Sequence, residues 1–583
     1  MAFKSPCALS PPILQLAKER RTCNRYKWTR PRSENRIKAF SHAERTQHER
    51  NGQQYASSRP RNLRVWNARS AGSVEAELSK GDAAPNASSD GVPDISSFLK
   101  GKTLLISGAT GFLAKVLVEK ILHEQPEVQR VYLLIQPTTS NTAEERLEQL
   151  MEAAVFNRLR DTHGDSYRAF MQSKLSAVSG TIAKDGLGLL SDVAQALQNE
   201  VDVVVHSAAT TTFDESFDVA VNVNTLGATR VLSFAQQCRR CQLMVHVSTA
   251  YVNGLRIGPI SERPFKLGDC IAQELRGDAA PSLDVNKMIR LAATLKDNPK
   301  AGGDDEAKMI GLRQAKKHGW QDTYVFTKAM GEMLVGEQRG SLPVAVVRPS
   351  IVESALREPV PGWIEGIRMV DPFLIAYGRG QMQGFVANKH TVCDVIPVDT
   401  VVNTILGVMP AQAGKDDMKI FQVGTSTTSP LTFGRMCDIT SETFARAPML
   451  DRNKAPIEVD PLLVLPNQLA FVWEHWRKYI MQPVALQVQQ KALPKTVRRT
   501  DRARAVLLSK TWEQLAYLSK LYEPYTFYAA QFETTNTQKL FESLSEEDKQ
   551  KFNFDLEAFD WTQYLMDVHV PGLKKYVLKG RSS

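Results

Sequence analysis

Nowhere does the chain approach the roughly 18 consecutive apolar residues of a membrane-spanning helix, so no segment reads as a span. Cysteine is scarce: seven residues, at positions 7, 23, 238, 241, 270, 393 and 437, are scattered through 583. Such a spread builds no disulfide framework and suits a reducing compartment. Cys238 and Cys241 have the spacing of a metal or redox pair, but no second Cys or Cys/His pair stands near them in sequence. They read as the end of an apolar helix, and no metal site is expected. Acids are few in residues 1–70, four against sixteen Lys and Arg, and this stretch has no apolar central run, which excludes a secretory signal. Subtracting its +12 from the formal charge of +10 leaves −2 for residues 71–583. The body therefore makes no electrostatic case for nucleic acid or another polyanion.

Rich in Arg, Ser, Asn and Gln, residues 1–70 read as an organelle transit peptide, with a disordered basic arm as the alternative. They show no clean Arg-lined amphipathic helix, which favours a plastid over a mitochondrion. Residues 71–97 follow as an Ala, Ser, Gly and Pro linker. The whole chain is 43% hydrophobic and 23% charged, enough to bury a sizeable core, and two folded parts are expected, 98–480 and 487–579. The apolar, aromatic segment Pro461–Val484 reads as buried core, with peripheral membrane association as its alternative.

Leu104–Ser107 is a short apolar strand, and Phe112–Leu122 continues as a helix with apolar residues at 113, 116, 117 and 121. Between them Gly108-Ala109-Thr110-Gly111-Phe112-Leu113-Ala114 has the Gly-x-x-Gly-x-x-Ala spacing of the extended short-chain dehydrogenase/reductase loop. Gly108 permits the turn, Gly111 lets backbone approach a pyrophosphate, and Ala114 lets helix pack on strand. The second strand, Val131–Ile135, ends at Gln136, so no carboxylate stands where NAD would be gripped by its ribose, which permits NADP. Arg146 lies close by in sequence and reads as a member of a surface salt bridge. Val203–Val205 leads to His206, read as a packed histidine, and to Ala208 and Ala209, small enough to pass under a cofactor. A further strand ends in Ser248 and Thr249; a hydroxyl there completes a reductase set, and counting back five from Gly254 favours Thr249. Val344–Arg348 supplies the next strand, with Pro349 and Ile351 at the nicotinamide end. Tyr324 and Lys328, at i and i+4, share a helix face where an ammonium lowers a phenol's pKa and readies it to give a proton. The alternation of strand and helix predicts an α/β fold: a Rossmann-type, doubly wound parallel sheet followed by a mostly helical C-terminal domain.

From about residue 98 to 579 the chain resembles the alcohol-forming fatty acyl-CoA reductases. The resemblance rests on Gly311-Leu312-Arg313-Gln314-Ala315, His318-Gly319-Trp320 and Tyr324 to Glu332. It extends through Arg348 to Glu353, Glu358 to Gly366 and Asp394 to Asp399, then Phe552 to Asp555, Asp560 to Tyr564 and His569 to Leu573. With the basic leader, the likeness is to the plant plastid, male-sterility-type branch. It implies reduction of a long-chain acyl-CoA or acyl-carrier-protein thioester to a primary alcohol by two NADPH in succession. Thr249 and Tyr324 would stabilise the oxyanion, Tyr324 would give the proton, and Lys328 would hold the ribose. Two positions depart from the family pattern: Gln136 replaces a basic residue, and Gly180-Thr181-Ile182 replaces Gly-Asp-Ile. A reductase stopping at the aldehyde, a sugar-nucleotide or steroid enzyme, and a plastid RNA-binding protein on the same fold are the rival readings.

Overall fold

A computed structural model describes residues 94–297, 303–451, 453–478, 495–557 and 559–579; the leader 1–70 and the stretch 71–93 lie outside the described residues. Seven runs rich in Val, Ile and Leu form one parallel sheet: β1 (Thr103–Ser107), β2 (Arg130–Ile135), β3 (Leu175–Ser179), β4 (Val203–His206), β5 (Leu243–Val247), β6 (Val344–Pro349) and β7 (Met418–Val423). Their order is β7-β6-β5-β4-β1-β2-β3. β1, β4 and β5 are buried at every position, as strands covered on both faces must be.

Five helices matter for the site: α1 (Phe112–Glu124), α2 (Leu226–Gln237), α3 (Thr323–Gln338), α4 (Val398–Gln412) and α5 (Lys495–Thr526). Successive strand residues point to opposite faces. Leu104, Ile106, Val203 and Val205 share a core with Val116 and Leu117 of α1 and Ile405 of α4. Leu105, Val204 and Met244 meet Val231 and Leu232 of α2 and Val335 of α3 on the other side. The sheet is thus doubly wound, as the alternation predicted. Because β1 lies between β4 and β2, the winding reverses at its carboxyl end, and a ligand crevice opens there.

The C-terminal residues pack onto this body. Ala530–Phe532 pairs in parallel with Gly258–Ile260, and Phe552, Phe554, Trp561 and Tyr564 join the core shared by α1 and α4. Two of the family signatures meet here backbone to backbone: a Cβ on Gly572 would collide with the carbonyl of Gly362, itself at φ +75°. Bulk at either position would pry the C-terminal segment off the lobe.

Pro461–Val484 departs from its reading as buried core. Residues 468–476 form a helix in which Phe471 is buried while Leu469, Val472, Trp473 and Trp476 are exposed; residues 479–484 lie outside the described residues. Composition shows how apolar a segment is, and only its neighbours determine which face they cover.

Candidate active site

The glycine loop adopts the geometry its spacing demands. Gly108 sits at φ +74°, and a Cβ there would stand 2.7 Å from the amide nitrogen of Ala208, so the loops after β1 and β4 touch main chain to main chain. Gly111 donates its N–H to the Gly108 carbonyl at 2.8 Å and caps α1 without a side chain. The first-turn amides of Phe112, Leu113 and Ala114 follow directly, the arrangement that binds a pyrophosphate. Ala109 and Ala114 are buried, and Thr110 and Leu113 are half-buried. The Phe112 ring leaves the loop to stack on Trp363 at 5.3 Å. His206 accepts or donates at Ser107 Oγ, 2.8 Å away, and Ser107 Oγ also receives the Ala208 N–H at 3.4 Å, with Ala209 next along the same half-buried turn. Burial, with Lys328 nearby, pushes His206 down to about 3, so it is a neutral brace for the loop.

Arg146 corrects its reading as a surface salt bridge. Its guanidinium donates to Thr110 Oγ1 at 3.2 Å and to the Gln136 carbonyl, joining the glycine loop to the end of β2. The two departures from the family pattern also meet, since Thr181 Oγ1 donates to the Gln136 side chain at 3.3 Å. A cation therefore stands beside the place where an adenine ribose binds in this fold, supplied from a helix rather than from position 136.

Asp322 starts α3 by accepting the Val325 N–H at 3.0 Å, which sets Tyr324 in the first turn and Lys328 one turn on. Lys328 is buried and donates to the Val247 carbonyl at 2.8 Å, tying α3 to the end of β5 immediately before Ser248 and Thr249. Burial holds Lys328 at about 8, with Glu332 pulling the other way. The expected lowering of the Tyr324 phenol is not what this environment does: burial and then the Asp322 carboxylate push it up. The amine is turned under the sheet, and Tyr324 stays a protonated donor. Thr249 Oγ1 donates to the Pro349 carbonyl at 3.4 Å and accepts the Tyr251 N–H, whereas the buried Ser248 hydroxyl has no partner among the described residues. Ile351, beyond Pro349, pairs with Val395 and keeps the end of β6 in place. Bare amides at α1, small residues after β4 and an unpartnered hydroxyl after β5 all fit a pyridine dinucleotide lying across the strand ends.

Several supporting groups escaped sequence reasoning. Asn224 holds Thr210 by two hydrogen bonds and donates to Thr327 of α3 at 3.1 Å. It sits in a π-helical turn, Val221–Thr225, that local spacing does not announce. Glu332 and Arg348, both fully buried, pair at 2.6 Å and bolt α3 to β6. Asp394 accepts N–H groups from Thr425 and Ser426, and Asp399 accepts three from Leu356, Arg357 and Glu358. Both signature carboxylates thus hold loops.

The space over Tyr324 is covered by residues from far along the chain. Tyr525 of α5 donates its hydroxyl to Asp322 and stacks at 5.6 Å on Phe213, whose ring lies 5.8 Å from that of Tyr324. Burial raises Asp322 to about 6, while the Tyr525 and Val325 bonds oppose the rise. Below this cover His569 bonds through one ring nitrogen to Ser354 Oγ at 3.0 Å and through the other to Asp371 at 3.1 Å. Glu353 is close by, its carboxyl pushed well up by burial and Asp371. No spacing in the sequence pairs residues so distant. The Cys238 and Cys241 thiols are pushed up to about 12 and about 11, chiefly by burial, and Cys238 donates to the Phe234 carbonyl at 3.3 Å within its own helix end.

Comparison with known proteins places this geometry among relatives. The family described as Male sterility protein matches residues 106–405, and a second family of the same description matches 489–580. "Fatty acyl-CoA reductase 2, chloroplastic" of Arabidopsis thaliana is 42% identical over 84% of this chain and 80% of its own length. "Alcohol-forming fatty acyl-CoA reductase" of Simmondsia chinensis is 33% identical over 83% of this chain and 99% of its own. Among solved structures, the terminal R domain of the myxalamid PKS-NRPS biosynthetic pathway superposes with a TM-score of 0.50 at 18% identity, over 82% of this chain and 91% of that domain, a likeness of fold.

Proposed function

We propose, for a chain that belongs to the male-sterility family of fatty acyl-CoA reductases, that it reduces a long-chain fatty acyl thioester through the aldehyde to the primary alcohol with NADPH. The carrier is CoA or an acyl-carrier protein. The observation that carries the reading is the Lys328 bond to Val247, which joins the tyrosine-bearing helix to the strand ending in Ser248 and Thr249.

Gly108 to Ala114, Gln136, Ala208, Ala209, Lys328, Pro349 and Ile351 would hold the cofactor, which supplies hydride to the carbonyl carbon. As the first hydride arrives, Tyr324 donates a hydrogen bond to the oxygen and Thr249 does so by turning its hydroxyl away from the Pro349 carbonyl, with Ser248 as the neighbouring hydroxyl. The oxyanion then collapses, the carbon–sulfur bond breaks, the thiolate leaves and takes a proton from solvent, and the aldehyde stays while a second NADPH replaces the spent cofactor. At the second hydride Tyr324 gives the proton that makes the alcohol. No cysteine nucleophile is involved.

Preference for NADPH is supported by Arg146 at the Thr110 and Gln136 edge. Arg146→Ala should raise KM for NADPH by roughly 10- to 100-fold, the worth of a charge-assisted contact, and leave KM for NADH nearly unchanged. Equal effects on both would refute this role. A plastid location is supported by the basic, acid-poor leader and by the relative named chloroplastic. The deciding experiment extracts the lipids formed from long-chain acyl thioester and NADPH. Alcohol is expected; aldehyde without alcohol would overturn the proposal.

A further inference from the structure

We propose that the helix Gln468–Trp476 is a docking face for the interfacial layer of an anionic lipid bilayer. Leu469, Val472, Trp473 and Trp476 are 82%, 52%, 58% and 41% exposed, and their i, i+3, i+4, i+7 spacing puts them on one stripe. That stripe is not the unsatisfied half of a core contact. The opposite face has its own partner: Phe471 stacks on Trp512 at 4.7 Å and His475 stacks on the same ring at 3.7 Å, which fixes the helix with its tryptophans outward.

Charge identifies the occupant. At the amino end of the stripe Pro466 lines a groove of 400 Å³ with Lys316 and Lys520. Both lysines are exposed, and neither enters an ion pair among the described residues; the Glu523 carboxylate in the groove accepts from Gln468. Aromatic rings with a polar edge beside unpaired ammonium groups suit the headgroup boundary, where rings sit among acyl ends and cations meet lipid phosphates. No helix among the described residues is long and apolar enough to cross a membrane, so this one would lie along the surface.

The location also suits an apolar product. α5 backs the stripe with Trp512 and, at its other end, brings Tyr525 to Asp322 and Phe213 over Tyr324. One helix therefore links the docking face to the reaction. The purpose rests on the proposed reaction, but vesicle binding is read without turnover, so either can fail alone.

The test uses the full chain with vesicles of phosphatidylcholine and of phosphatidylcholine with phosphatidylglycerol, separated by flotation. Wild type should float with the anionic vesicles. A Trp473→Ser, Trp476→Ser variant should partition about tenfold less or weaker. A Lys316→Glu, Lys520→Glu variant, which disturbs no buried contact, should lose the preference for phosphatidylglycerol. Both should reduce a soluble short-chain acyl-CoA at the wild-type rate. Wild type that stays with neither vesicle overturns the proposal, as does lysine-variant binding equal to wild type on both. Intact vesicle binding with conversion of a dimer to a monomer in the tryptophan variant would assign the stripe to a second copy. Binding to acyl-carrier protein lost in the lysine variant, without vesicle binding, would assign the groove to that acidic partner.

Discussion

On the cofactor side of the crevice several of the groups that matter rest directly on main chain. Gly108 rests against Ala208, Lys328 bonds the Val247 carbonyl, and Thr249 bonds the Pro349 carbonyl. On the opposite side, which the proposed reaction gives to the acyl group, side chains far apart in sequence hold one another. Tyr525 reaches Asp322 across 203 positions, and His569 reaches Asp371 across 198. A parallel sheet offers the same carbonyls and amides to any sequence that forms it, so the first side is rigid and general. The second is specified by particular rings and carboxylates, and it can change substrate without disturbing the first.

The most direct way to break this contrast is at Tyr324, where the two sides meet. Tyr324→Phe should lower turnover by about 10²- to 10⁴-fold, the usual worth of a proton donor, while NADPH titrated by fluorescence still binds. Substantial activity would mean that the proton comes from elsewhere. Next is the rigid side itself. Glu332→Gln leaves Arg348 buried without its carboxylate and should cost about 3–5 kcal/mol, read as a fall in the urea midpoint at unchanged slope. The same change bears on pH. Lys328 is an ammonium below about 8 and a neutral amine above, so kcat/KM should fall as pH rises through that value. Without the Glu332 carboxylate, which favours the ammonium, the falling limb should move to lower pH; an unmoved limb would show that another group titrates. The smallest effect belongs to the acyl side. Tyr525→Phe removes one hydroxyl from Asp322 while keeping its stack on Phe213, and should raise KM for long acyl thioesters several-fold with NADPH binding intact, in keeping with a hydrogen bond worth about 1 kcal/mol. An equal rise in KM for NADPH would mean that the cover is not specific to the acyl group.

Legibility in the sequence follows the same division. Gly108, Gly111 and Ala114 sit three apart, Tyr324 and Lys328 four apart, and each strand is four to six residues long with an apolar core. Such patterns are local, so the periodicity of helix and strand converts them into neighbours in space. Arg146 was visible but misassigned, because α1, β2 and a loop separate it in sequence from the Thr110 that it touches. Trp473 and Trp476 were visible as apolar and misplaced as core, because the helix turns Phe471 and His475, and not the tryptophans, onto Trp512.

By itself the sequence determined the parallel sheet, the glycine loop and the spacing of the tyrosine and lysine, since backbone hydrogen bonding and residue periodicity leave those little freedom. Tertiary structure alone decided that Lys328 turns under the sheet, that Asp322 and burial keep Tyr324 protonated, that Arg146 reaches Thr110 and Gln136, and that Tyr525 reaches Asp322 over Tyr324. Each of these depends on which distant side chain excludes water from which charge, and burial of that kind exists only once the chain has folded.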